Sequence, residues 1–463
     1  VGAGPGGVYI AWRLASDGGM SAEDICVVER LDRVGGRILS LRNQGPLGDL
    51  VVDLGAYRFP DAPMHINAPG YPVFLYAPLT SHLVENRLNL STMPYEPGMP
   101  NSTMQKIVDD DGQNLGYVTF VEAMYNSTVK MGVRYFFGSE VISIGENSEG
   151  SLELGLPGDA SIVAEQVVLN LPMRPLTRLL FNSKLNPQNH DHDHDHHGHD
   201  HHHAPHDDDD VGEKNHRPSL RMRRYPSVLN KVRPKFAVKL YVHYDDAWWI
   251  NYLNLTFGEF NSSAHGDAYA PLQGRYHDGH TRYDDTTNKW RGFLEAVYAY
   301  SDETYEYYAP FQTSYMDPYV RLEQTDPVAN SMLEAVHNSL VQFHKDALDA
   351  ANVFDKVSSM TPKLALLSAW GPESTGFGGG VHYNLPTVVD PVAKDALQPF
   401  ANMPIYVANE AFGTMRLENG TLGSEHGWAE CSLVMAENIL TKKFGLNPPS
   451  WIPTDDYEKF VQL

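Results

Sequence analysis

The chain begins with Gly2-Ala3-Gly4-Pro5-Gly6-Gly7, a G-x-G-x-x-G pattern, and Glu29 stands 22 residues past Gly7. Glycines at this spacing allow a tight turn and let backbone approach a pyrophosphate at a helix N-terminus. A carboxylate at that remove accepts from both hydroxyls of a ribose, so the pattern points to dinucleotide binding. A glycine-rich turn alone also recurs for structural reasons; the acid makes the difference. Six residues past Glu29 comes Gly35-Gly36-Arg37. This second glycine pair with an arginine supplies a phosphate contact that a bare nicotinamide site does not need. Arg58, in VVDLGAYRFP (51–60), is a different signal: a guanidinium in what reads as a buried strand running into a turn. Burying it without an anion is costly. Its partner is a ligand's carboxylate, a cofactor phosphate or a resident acid. Finally, HDHDHDHHGHDHHHAPHDDDD (190–210) holds ten of the 21 histidines. Such a tract binds divalent metals loosely, but its alternating spacing fixes no unique geometry.

These groups need elements to hold them. The turn at Gly2–Gly7 leads into VYIAWRLAS, which reads as a helix, and DICVVE (24–29) reads as a strand ending in the acid. VVDLGAYRF is strand-like, and residues 60–115, rich in Pro, Asn and Met, read as long loops with short helices. GYVTFVEAMYNSTVKMGV (116–133) is a helix candidate; VRYFFGSEVISIGE and SIVAEQVVLNLP alternate as strands do. KFAVKLYVHYDDAWW and RGFLEAVYAYS are further strands, and DPVANSMLEAVHNSLVQFHKDA (326–347) is an amphipathic helix. IYVANEA (405–411) is a late strand, and HGWAECSLVMAENILTKKFG (426–445) is a final helix closed by Gly445. No internal repeat is visible. Short strands scattered between helices point to an α/β nucleotide domain with a mixed α+β domain inserted.

A chain of 463 residues exceeds one ordinary domain, and two or three compact units are expected. With 42% apolar and 20% charged residues it is globular in composition. A formal net charge of −23 argues against nucleic acid, whose phosphates need a basic surface. No apolar run reaches the ~18 residues of a membrane span. Cys26 and Cys431 are the only cysteines, which excludes a disulfide scaffold and points to two buried thiols. Six Asn-x-Ser/Thr sequons, at Asn89, Asn101, Asn126, Asn254, Asn261 and Asn419, favour a secretory route, hence a secreted or vesicular glycoprotein. Almost no strand precedes the first turn, so the chain is expected to be truncated, with any signal segment in the missing part.

The double glycine motif resembles the FAD-containing amine oxidoreductases, the group of monoamine oxidases, polyamine oxidases and L-amino-acid oxidases. The remaining segments arrive in that family's order and cover nearly the whole chain. SEVISI (139–144) resembles the strand whose valine, here Val141, meets the adenine; QVVLNLP (166–172) resembles the strand that returns to the nucleotide domain. The strand running from Lys239 to Trp248-Trp249 resembles the one carrying a lysine nine or ten residues before a Phe-Trp pair. The resemblance implies that Lys239 holds a water against flavin N5. Without it, Lys235 and Lys239 are equal candidates on an alternating strand. SAWGPESTGFGGG (368–380) resembles the tryptophan-plus-glycines segment before the last FAD motif. In the closing segment, IYVANEAF…SEHGWAECSL, Glu410 would bond the ribityl chain, Gly427 and Trp428 would line the substrate pocket, and the Ala429 amide would donate to the pyrimidine carbonyl. Asn409 departs from the family's Ala-Gly-Glu and leaves less room for the cofactor.

Within the family, GAYRFP (55–60) resembles the GxMR-F/L-P pattern of L-amino-acid oxidases and amino-acid monooxygenases, whose arginine binds the substrate carboxylate; Tyr57 replaces the usual Met. A guanidinium fork suits a carboxylate. Tyr298, in RGFLEAVYAYSDE (291–303), aligns with a second carboxylate-binding tyrosine if one residue is inserted; otherwise Val297 falls there. The implied architecture is α/β plus α+β: a discontinuous Rossmann-like FAD-binding domain (1–56, 133–180, 400–446) with an inserted mixed-sheet substrate domain (57–132, 181–399). A disordered His/Asp-rich insertion (188–216) would sit in the latter, binding divalent metal loosely at most, and no catalytic metal is expected. The implied reaction is FAD-dependent oxidation of an L-amino acid by O2 to a 2-oxo acid, ammonia and hydrogen peroxide. Arg58 would clamp the carboxylate and the Gly427 carbonyl would accept from the amine. Cys431 is expected to point away from the flavin, and a homodimer is a further expectation. The alternatives are an amine or polyamine oxidase, an amino-acid monooxygenase, and a non-enzyme, a His-rich metal-binding protein on a degenerate oxidase fold.

Overall fold

The computed structural model describes residues 1–68, 71–95, 103–183, 185, 226–262, 269–312, 317–371, 381–384, 390–413, 415–421, 423 and 426–463. The His/Asp-rich tract (188–216) and residues 372–380 lie outside them.

Two short parallel strand pairs carry the nucleotide-binding half. Cys26–Val28 pairs with Arg134–Phe136, and Val167–Leu169 with Ile405–Val407. The first residues join the pairs, because Gly2 N–H donates to Val28 O at 2.8 Å and Asn170 N–H to Val1 O at 2.8 Å. Parallel strands need both faces covered. Here Pro5–Asp17, Thr119–Met131 and Ala429–Lys443 supply buried faces to one large core shared with the strands. Pro5 opens the first helix, where its missing N–H costs nothing. Gly132, at φ 106°, closes the second.

The other half is a six-stranded antiparallel sheet with Lys289–Ala299, Ala237–Tyr244 and Leu364–Trp370 adjacent in its middle. Helix Pro327–Phe343 packs on one face, capped by Asp326, whose carboxylate accepts from Val328 and Ala329 N–H. On the other face, Leu50, Val52 and Leu54 pack against Ala237, Tyr241, Phe293 and Trp370. With both faces covered, every residue of Ala237–Tyr244 is buried, which a strand of mixed polar and apolar residues would not by itself predict.

Several expected elements differ in extent. The helix expected over 326–347 breaks at His344 and resumes as Lys345–Ala350. The strand before Trp248-Trp249 stops at Tyr244, and Trp248–Asn251 is a helical turn that buries both indoles. Residues 134–146 form separate strands, Arg134–Phe136 and Ser143–Glu146, with Val141 in the connection between them. Residues 60–115 carry the hairpin Met64–Ala68/Tyr71–Leu75 and the strands Thr92–Pro94 and Met104–Ile107, where loops and short helices were expected; turn residues there mark hairpins. Cys431 is fully buried, but Cys26 is only half-buried, because it opens its strand instead of lying within it. Among the described residues no helix is long and apolar enough to cross a membrane.

Candidate active site

A single cavity of about 430 Å³ is lined by Gly2, Gly4, Glu29, Gly36, Arg37, Val141, Lys239, Tyr298, Glu410, Gly427, Trp428 and Ala429 together. Residues that span the chain from its second to its 429th position thus share one space. Gly7, Gly35 and Arg58, also expected at the site, are not part of the lining.

At the glycine turn the wall is backbone. Gly2 sits at φ 92°, and a Cβ there would lie 2.4 Å from the Asn170 carbonyl oxygen. A Cβ on Gly7 would lie 2.0 Å from the Gly2 carbonyl oxygen. No side chain fits at either position, and at Gly2 main chain lines the cavity directly. Glu29 is pinned by Ala3 N–H at 2.7 Å and Leu31 N–H at 2.9 Å. The second glycine pair is docked on the first, since Gly35 N–H donates to Ala3 O at 2.8 Å. Beyond it Arg37 and Glu410 grip each other with two contacts, at 2.8 and 3.2 Å. Asn409 donates its amide to Leu171 O and accepts from Ala411 N–H at 2.8 Å, so the residue that departs from the glycine pattern ties the returning strands together.

Lys239 reaches the same space from the antiparallel sheet. Its ammonium donates to Gly55 O at 2.9 Å and Asp53 O at 3.2 Å and stands 3.7 Å from the Tyr57 ring centre. It is 3% exposed, and burial lowers its pKa to about 8 against the opposing pull of Glu295. Glu295 Oε1 lies 3.8 Å from the ammonium and accepts from the Tyr241 hydroxyl at 2.7 Å; its Oε2 has no partner. Burial, aided by Asp278, raises the Glu295 pKa to about 8.

A β-bulge makes this cluster possible. Lys239 faces Tyr298 and Leu240 faces Val297, but Tyr241 faces Glu295, so Ala296 is skipped. In a regular strand residues 295 and 298 would point to opposite faces. The extra residue puts both on the side of Lys239 and Tyr241. Tyr298 lines the cavity with Tyr300, their hydroxyls 2.5 Å apart, and Trp370 closes this wall by donating its indole N–H to Leu54 O at 2.9 Å.

Arg58 has a resident acid. Its guanidinium lies 3.4 Å from Asp278, a fully buried carboxylate that also accepts from the Tyr57 hydroxyl at 2.8 Å and meets Arg275 at 3.5 Å. Burial pushes the Asp278 carboxyl up, but Arg58, His277 and Arg275 outweigh it and hold the pKa below the ordinary value. Arg58 also stacks near the Tyr57 and Tyr95 rings, at 4.8 and 5.3 Å.

Across the cavity, Gly427 at φ 82° turns the chain into Trp428, which caps helix Ala429–Lys443. Ala429 lines the cavity at the start of that helix, where the helix dipole favours negative charge. Glu430 points the other way, accepting from Leu79 N–H at 3.1 Å and Thr80 N–H at 2.7 Å.

Sequence reasoning overlooked Asp278 and Glu295, and also Asn170 and Ser432, which line the cavity beside the glycine turn. Glu295 left a signal of the same kind as Arg58, one charge in an apolar strand; Asp278, in the polar run RYHDGHTR, left none. Among the described residues no cluster of metal-binding side chains is present.

Residues 1–68 match the model of an NAD(P)-binding Rossmann-like domain. No curated protein matches this sequence. The fold resembles that of wild-type putrescine oxidase bound to putrescine, with a TM-score of 0.50 at 12% identity over 96% of this chain and 98% of that one. A putrescine oxidase point mutant from the same cofactor-binding redesign gives a TM-score of 0.50 at 13% identity, over 95% and 97% of the two chains. At that identity the likeness establishes the fold: a mixed α/β chain with a Rossmann-like dinucleotide domain.

Proposed function

We propose that this chain is a flavin-dependent amine oxidase whose substrate needs no carboxylate. The observation that carries the reading is the single cavity joining a dinucleotide turn to a buried ammonium while Arg58 stays outside it, paired with Asp278. The residues present fit FAD: Gly2 and Gly4 give a side-chain-free approach for phosphates, Glu29 and Val141 flank the nucleoside end, and Gly36, Arg37 and Glu410 line the way to the Ala429 helix N-terminus. FAD supplies the ring that accepts a hydride equivalent from the amine and passes two electrons to O2 as hydrogen peroxide.

The chain's own residues bind, orient and exclude water. Tyr298, Tyr300, Trp370 and Trp428 form an aromatic lining that dehydrates an alkyl amine and holds its carbon skeleton. Gly427 lines the same cavity, and we assign its carbonyl the role of accepting from the amine. The Lys239 ammonium, tied to Gly55 and Asp53, offers a donor to a small molecule in the cavity. The imine product hydrolyses to a carbonyl compound and ammonia. The pairing of Arg58 with Asp278 supports the amine reading over oxidation of an L-amino acid, which would require Arg58 to exchange Asp278 for the substrate, and the fold shared with putrescine oxidase accommodates that reading.

The test is a peroxide-release screen of mono- and diamines, putrescine included, beside the L-amino acids, on protein whose flavin absorbance is recorded first. Peroxide from amines only is expected. Turnover of amino acids alone would overturn the amine reading, and protein without bound flavin would overturn oxidase function itself, leaving the non-enzyme alternative. We also propose a secretory route, supported by the sequon residues Asn89, Asn126, Asn254, Asn261 and Asn419, all of which are exposed; a mobility shift on deglycosylation tests it.

A further inference from the structure

We propose that Glu295 is the positioning residue for Lys239: it sustains the buried ammonium through space while leaving one ammonium N–H for a molecule in the cavity. This rests on the amine-oxidase reading only for its catalytic consequence.

An ammonium has three donors. Lys239 gives two to the carbonyls of Gly55 and Asp53, at 2.9 and 3.2 Å. Glu295, at 3.8 Å, is too distant to take the third yet close enough to compensate charge as it ionises near pH 8, where the ammonium also titrates. Two features hold it there. The Tyr241 hydroxyl donates to Oε1 at 2.7 Å, and the bulge at Ala296 turns the carboxylate to the lysine's side. Its Oε2 is buried with no partner. A fully buried carboxylate left half satisfied is poor design for stability alone. Proximity to the ammonium accounts for it.

The charged and titratable groups around Lys239 come from every neighbouring element. Glu295 and Tyr298 lie on Lys289–Ala299; Asp53, Tyr57 and Arg58 on the 50–58 segment; Tyr241 on its own strand; and Asp278, His280 and Arg275, the last acting on Glu295, on Leu272–Asp284. Asp278 is already engaged by Arg58, Arg275 and Tyr57, whereas Glu295 has a hydrogen bond from Tyr241, Lys239 at 3.8 Å and a longer-range attraction to Arg275. Ser368, opposite Lys239 on Leu364–Trp370, is neutral.

The experiment follows the Cε resonance of Lys239 against pH in the full chain labelled with ¹³C-lysine, with Lys239→Met identifying the signal. The titration is run on flavin-loaded and flavin-free protein. Glu295→Gln keeps the shape and the Tyr241 acceptor but removes the charge, and should make Lys239 at least about tenfold more acidic. Tyr241→Phe, which frees the carboxylate from its anchor, should shift it in the same direction by less. If Glu295→Gln does not fold, Tyr241→Phe decides alone. An unchanged Lys239 titration in a folded variant overturns the proposal, since a structural role would alter stability without moving this pKa. In the oxidase assay, the alkaline limb of the O2 half-reaction should move with the Lys239 titration. A shifted titration with no oxidase activity in wild type would overturn the amine reading and leave the coupling intact.

Discussion

At the glycine turn the cavity is walled by main chain, and Glu29, the side chain that matters, is pinned by two amides from its own neighbourhood. At the lysine sheet the wall is side chain, and Lys239, Tyr298 and Trp370 come from three strands, held by acids and arginines that never touch the lining. The contrast teaches what each end tolerates. The first has no space for a Cβ but carries little buried charge. The second can absorb changes of shape but not of ionic balance.

The sharpest way to break that contrast is at Asp278. Asp278→Ala removes the acid that Arg58 and Arg275 both reach and should cost about 3–5 kcal/mol, measured by chemical denaturation. A loss below about 1 kcal/mol would show that buried charge does not organise the lysine end. Gly7→Ala comes next. Its Cβ would sit 2.0 Å from the Gly2 carbonyl oxygen, so a loss of about 1–3 kcal/mol is expected, together with loss of flavin absorbance. An alanine variant that keeps its flavin would mean that the turn relaxes without consequence.

The pH dependence sharpens the comparison further. Lys239 has a folded pKa near 8, below the 10.5 of a free lysine, so between those values the unfolded chain binds more protons and stability rises with pH. Lys239→Met should erase this contribution, whose slope is at most about 1.4 kcal/mol per pH unit. Equal slopes in both proteins would mean that the ammonium is not the titrating group. The smallest effect is assigned to Arg58→Lys, which should leave KM for amines within about twofold. A KM rise confined to amino acids would return Arg58 to the role of carboxylate clamp.

The comparison also explains what the sequence made legible. The dinucleotide end is written locally, with glycines and an acid at fixed spacing, and its residues can be named without knowing the fold. Lys239 and the Gly427–Ala429 turn were found through the order of segments, and they do share the cavity. The partner of Arg58 was not legible, because Asp278 lies 220 residues away in a polar run and only the sheet brings them together. Strand ends were also obscured: Trp248 and Trp249 look like strand residues by composition, yet their burial is achieved by a helical turn.

Consider finally the skipped residue, Ala296. Alternation along a strand is a matter of odd and even, and this strand changes parity once, between Val297 and Glu295. Deleting Ala296 would merely regularise the strand, with Tyr298, Val297 and Glu295 still facing Lys239, Leu240 and Tyr241; keeping Ala296 but flattening the bulge would instead set Ala296 opposite Tyr241 and carry Glu295 to the far side of the sheet. The chemistry at this end thus depends on a count: the same residues laid out in unbroken alternation would separate Glu295 from Lys239, with the sheet itself still able to form.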